Sequence, residues 1–146
     1  MIYLFQSASN AFLNNFGGLE TAPVFWQRLN MRMRSSQRPP YGSHQWLDMV
    51  NLEMCRAIAT KIRLDPKLMR IPRKNLDRWR KKNRGLARAQ QEWEIILKRY
   101  PTERVLEILT QENDEGQRLR QSDPFVGILT ESERMAFFKL DEEVAA

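Results

Sequence analysis

The stretch Asn51-Leu52-Glu53-Met54-Cys55-Arg56-Ala57-Ile58-Ala59-Thr60-Lys61-Ile62-Arg63-Leu64 decides the fold class. Leu52, Cys55, Ala59 and Ile62 recur at spacings of three and four, which places them on one face of a helix. Asp65-Pro66 closes the segment and opens the next. An aspartate can accept hydrogen bonds from free first-turn amides, and a proline suits the first helical position, where its missing N–H is not needed.

Reading outward, Met69, Leu76 and Trp79 continue a helical stripe, while basic residues fill the rest of the wheel. Pro72 falls inside this pattern and is expected to kink the helix or split it in two. Gly85 is a break. A helix over about Leu86 to Arg99 then buries Ala89, Trp93, Ile96 and Leu97. Another opens at Pro101-Thr102 with Val105, Leu106 and Leu109 inward. A short polar helix covers Asp114 to Gln121, followed by the loop Ser122-Asp123-Pro124-Phe125-Val126-Gly127. A last helix begins at Thr130, where Thr130 and Glu133 form a capping-box pair, and ends near Leu140 before a frayed acidic tail. No run alternates with the period of a strand. The expected fold is all-α, a small bundle of about five or six short helices.

Upstream of Met49 the character changes. Residues 1–48 hold only Glu20 and Asp48 as acids, a Gly17-Gly18 pair, and the turn-rich run from Ser35 to Ser43, which reads as a linker. Only Ala22 to Met33 suggests a helix there. The expected organisation is a poorly ordered extension over 1–48 and a single helical domain over 49–146. The opening Ile2-Tyr3-Leu4-Phe5 has no basic residue before it and is interrupted at once by Gln6, Ser7, Ser9 and Asn10, unlike a secretion signal. No segment reaches the length of a membrane span. These features point to a cytoplasmic protein without membrane association.

The 146 residues carry a net charge of +6, distributed unevenly. Between Arg56 and Arg88 there are 13 basic residues against Asp65 and Asp77, whereas from Ala89 onward 7 basic residues face 13 acidic ones. Such a dipolar chain attracts phosphate or an acidic protein surface at one end. Arg70, Arg73, Lys74, Arg78, Lys81, Lys82 and Arg84 are the candidate residues for nucleic acid or an acidic partner, because several cations acting together release counterions from phosphates. A helix-turn-helix is poorly matched, since Pro72 would interrupt the second helix.

A second candidate surface is the segment Gly116 to Glu131, whose Arg118, Arg120, Gln121, Asp123 and Phe125 form a candidate partner-binding loop. Asp123 before Pro124 favours a turn, and Phe125, Ile128 and Leu129 are expected to anchor it. The competing reading is that Arg118 and Arg120 pair with nearby acids such as Glu112 and Glu115.

Catalytic chemistry is not indicated. The single histidine, His44, cannot build a metal site with the one distant cysteine, Cys55, which reads as a small buried residue. No phosphate-binding glycine loop, nucleophile elbow or zinc-protease motif occurs. Glu92, Glu94, Glu103 and Glu107 sit at positions expected to be solvated. No enzyme, cofactor or metal is expected.

Several segments together resemble a family of short prokaryotic helical proteins from two-gene modules of the toxin–antitoxin type. They are Leu52 to Ala59, Asp65-Pro66-Lys67-Leu68, Asn75-Leu76-Asp77-Arg78-Trp79, Glu92-Trp93, and Arg118-Leu119-Arg120-Gln121-Ser122-Asp123-Pro124-Phe125 with Leu129-Thr130-Glu131 after it. The resemblance covers about 49–137. It implies a non-enzymatic, antitoxin-like or accessory protein-binding module, with a nucleotidyltransferase-like toxin as partner. The alternative is a nucleic-acid-binding transcriptional regulator that uses the basic residues of 70–88. Pro72 departs from the family pattern, and residues 1–48 have no counterpart in it. The expectation follows that translation begins at Met49, which peptides from upstream of that residue in the native protein would overturn.

Overall fold

A computed structural model describes residues 39–145, with side chains as far as Phe138. The expected helix at Ala22 to Met33, the first four residues of the linker and the acidic tail's side chains lie outside the described residues. Six α-helices occur among those described, and no strand: α1 His44–Leu64, α2 Arg70–Asn83, α3 Arg88–Arg99, α4 Thr102–Thr110, α5 Asp114–Arg120 and α6 Glu131–Ala145. A 3-10 turn, Pro66–Met69, leads into α2. The fold is all-α.

α1 is half again as long as its apolar stripe announces, because it begins at His44 rather than near Asn51. The residue that starts it is Ser43. Its Oγ accepts the amide hydrogen of Trp46 at 3.2 Å, satisfying one of the free first-turn donors. The turn-forming run before it thus ends in a cap, and the helix passes through Met49 without a break. At the other end of the chain, α6 continues past Leu140 to Ala145.

The chain divides into two compact units. In the unit comprising residues up to Glu53 and from Glu131 onward, Trp46, Val50, Leu52 and Phe137 are buried. The Trp46 ring meets Tyr41 at 4.5 Å and Phe138 at 5.9 Å, both tilted, an arrangement that aligns ring edges with ring faces.

The unit Met54–Thr130 carries the candidate sites. Its largest fully buried side chains are Cys55, Ile62, Pro72, Trp93, Val105, Leu106, Leu109, Pro124 and Phe125. Trp93 and Phe125 meet edge to face at 5.5 Å, and the Trp93 indole Nε1 donates to the carbonyl oxygen of Leu119 at 2.8 Å, so a large aromatic is buried with its one polar atom satisfied. Ion pairs bind the helices at the surface: Arg56 with Glu112, Arg63 with Glu103 at 2.7 Å, and Arg80 with Glu94.

Pro72 lies inside α2 without splitting it. The helix starts at Arg70, so Pro72 falls in its first turn, where an N–H has no partner four residues back within the helix. The helix expected from Pro66 is divided, but at Met69–Arg70: the Asp65-Pro66 start belongs to a separate 3-10 turn, in which Asp65 Oδ1 accepts the amide of Lys67 at 3.3 Å.

Candidate functional site

With Pro72 in the first turn, the basic residues of 70–83 share one continuous helix. Pro72, Asn75 and Leu76 are buried and Trp79 is half-buried, which turns the opposite side outward. Arg70, Arg73, Lys74, Arg78, Lys81, Lys82 and Arg84 are all exposed. None of the seven has a carboxylate partner among the described residues. An open cleft of about 620 Å³ lies along this side, lined by Lys74, Asp77, Arg78, Lys81 and Lys82. Asp77 is the one acid in it among the described residues, and it accepts from Arg80 at 3.4 Å.

Arg80 belongs to the fold rather than to this face. It binds Glu94 on α3, and together with Lys98, 3.1 Å from the same carboxylate, it holds Glu94 below the usual carboxylate range.

The C-terminus of α2 is closed by Arg84 in the left-handed conformation, φ +55° and ψ +35°, while the amide of Gly85 reaches back to the carbonyl of Arg80 at 2.9 Å. This is the six-to-one bond of a Schellman end, with arginine where glycine is the usual occupant. Arg84 is therefore a candidate contact residue and a helix terminator at once.

The candidate loop residues take up other roles. Arg120 is 6% exposed and donates to the carbonyl oxygens of Leu109 at 3.1 Å and Gln111 at 2.8 Å, satisfying the end of α4. Phe125 is buried against Trp93. Arg118 stays exposed between Glu92 at 2.6 Å and Glu115 at 2.5 Å. Its hydrogen bonds push both carboxyls below their ordinary range. Asp123 accepts the amide of Phe125 at 2.9 Å and so shapes the turn. Burial pushes its carboxyl up to about 6 against the opposing pull of that hydrogen bond and of Arg120. Burial, and secondly the nearby Asp123 charge, likewise push the Cys55 thiol up, which leaves it a poor nucleophile. Gln121 is exposed, as is Val126 at 55%.

One residue of the site escaped sequence reasoning. Asn75, 7% exposed, donates through Nδ2 to the carbonyl oxygens of Pro124 and Val126, both at 2.8 Å, and accepts from Arg78 at 3.2 Å through Oδ1. It joins the basic helix to the loop. Its signal was a polar amide beside Leu76 and four residues before Trp79, on the side of the wheel that should be apolar.

Among the described residues no group of three or more His, Cys, Asp and Glu side chains is placed to hold a metal ion. Nor is any described helix long and apolar enough to cross a membrane. No family model matches this chain, and neither a curated protein nor a solved structure matches it significantly.

Proposed function

We propose that this chain is a non-enzymatic binding module that takes nucleic acid on the outward face of α2. What supports the reading is a contrast within one unit. Arg56, Arg63, Arg80, Arg104 and Arg118 are each matched by a carboxylate, while Arg70, Arg73, Lys74, Arg78, Lys81, Lys82 and Arg84 are exposed and unmatched among the described residues. Solubility needs no such segregation; neutralising a row of phosphates does, since affinity then comes from released counterions.

The test is the salt dependence of binding. Affinity of the full chain for duplex DNA, duplex RNA and single strands would be measured by fluorescence polarisation at several salt concentrations. The reading expects log affinity to fall linearly with log salt, and alanine at Lys74 or Lys81 to flatten the slope by about one phosphate each. No binding to any of the three at low salt would reject it.

The antitoxin-like, protein-docking role is the second reading. It draws on the resemblance and on one observation, that Val126 is exposed at the tip of a loop whose backbone Asn75 grips. A stoichiometric protein partner retained after nuclease treatment, and lost on Val126→Asp, would favour it.

A further inference from the structure

We infer that the cleft on α2 is a phosphodiester subsite in which Arg78 is the directional anchor and Asn75 its positioning residue; this rests on the nucleic-acid reading above.

The Asn75 amide is fixed by the backbone around it. Its nitrogen has two hydrogens, and two backbone carbonyls, those of Pro124 and Val126, take both at 2.8 Å. A flipped amide would set its oxygen against two carbonyl oxygens, so the orientation is forced. The oxygen is thereby committed to the side where Arg78 Nη2 donates to it at 3.2 Å. Asn75 is buried and its grip on the loop backbone spans about fifty residues of sequence, so Arg78 hangs from a fixed point.

Arg78 then differs from its neighbours. One of its five N–H donors is used on Asn75, and no carboxylate takes the others among the described residues. A planar guanidinium held on one edge offers the rest as a fork that matches the paired oxygens of a phosphate. Lys74, Lys81 and Lys82 line the same cleft and can act only as mobile point charges. Lys74, Arg78 and Lys82 follow one another at intervals of four residues, about 6 Å of helix rise per step. That row favours a chain of phosphates over a single anion. Asp77 in the same cleft opposes non-selective accumulation of anions beside Arg80, which it contacts.

The test separates charge from direction. Arg78→Lys keeps the charge, and the side chain is exposed, so the fold is not at risk. The full chain would be titrated with the same labelled duplex and single-stranded oligonucleotides over a range of salt concentrations. Arg78→Lys is expected to weaken binding about tenfold with an unchanged salt slope. Lys82→Arg, the reciprocal control, is expected to leave affinity within about twofold. Asn75→Leu is neutral and cannot hold Arg78, and should reproduce the loss of Arg78→Lys at an unchanged salt slope, with folding checked by circular dichroism. If the unaltered chain binds oligonucleotides but Arg78→Lys binds equally well, the inference is overturned while the proposed function stands. If the unaltered chain binds no oligonucleotide at any salt, the function itself falls. Inorganic phosphate competing as well as an oligonucleotide of equal phosphate concentration would overturn the phosphodiester assignment.

Discussion

One guanidinium nitrogen of Arg120 lies 2.8 Å from the carbonyl oxygen of Gln111, nine residues back along the chain, and 3.1 Å from that of Leu109. The end of a helix leaves its last carbonyls without amide partners, and here a buried cation supplies them. Arg120→Met would keep the stem and strip the donors. Leaving two buried carbonyls unsatisfied should cost about 2–3 kcal/mol in urea denaturation. A loss below ~0.5 kcal/mol would show that water replaces the guanidinium at no net cost.

Gly116 opposes helix propensity with tertiary contact. It lies within α5, where alanine would ordinarily gain about 1 kcal/mol. A methyl group built there would stand 2.2 Å from the Gln111 carbonyl oxygen and 3.0 Å from Arg120 Nη1. The first of these is backbone, so the helix would have to shift. Gly116→Ala should therefore destabilise by roughly 1–3 kcal/mol. A rise in the melting midpoint would contradict this.

Arg84 carries the reverse prediction. A non-glycine residue at φ +55° bears a steric cost that glycine does not. Arg84→Gly should stabilise by about 1 kcal/mol in urea denaturation, while its lost charge lowers the salt slope of nucleic-acid binding by about one phosphate. Unchanged stability would indicate that the arginine stem makes compensating contacts with α2.

Asp123 ties stability to pH. Its carboxyl titrates at about 6 in the fold, against an ordinary value near 3.8. The folded state thus binds this proton more tightly than the unfolded chain does, and the Asp123 contribution to stability falls as pH rises from about 4 to about 6. Above that range ionised Asp123 costs the fold on the order of 3 kcal/mol. Asp123→Asn retains an oxygen to accept the Phe125 amide and cannot ionise. It should be the more stable form at pH 7, and its advantage should vanish by pH 4. Denaturation curves for both proteins across this range decide the point, since Glu92, Glu94, Glu103 and Glu115 titrate alike in each.

Much of this architecture was legible in the chain. Trp93, Val105, Leu106 and Leu109 recur at helical spacing and are buried, as are Met69 and Leu76. Helical period is a local property and survives in sequence, as do caps such as Asp65. Where reading failed, two local signals overlapped. Ser43 looked like the end of a linker and is the cap of α1. Pro72 looked interior because Asp65-Pro66 had claimed the helix start, which a 3-10 turn displaced by four residues.

The candidate surfaces divide along the same line. Sequence alone determined that the chain is helical, that cations crowd between Arg56 and Arg88, and that Phe125 belongs to a turn begun by Asp123-Pro124. Only the tertiary structure decided which cations are available. Arg118 and Arg120 are candidates of one loop surface in one dimension, yet Glu92 with Glu115 occupies the first and the carbonyls of Leu109 and Gln111 the second. Arg78 instead meets Asn75, whose amide is locked by a loop about fifty residues away. Composition counts donors and acceptors, but pairing depends on which of them the packed helices bring within hydrogen-bonding distance, and that is set by contacts distant in sequence.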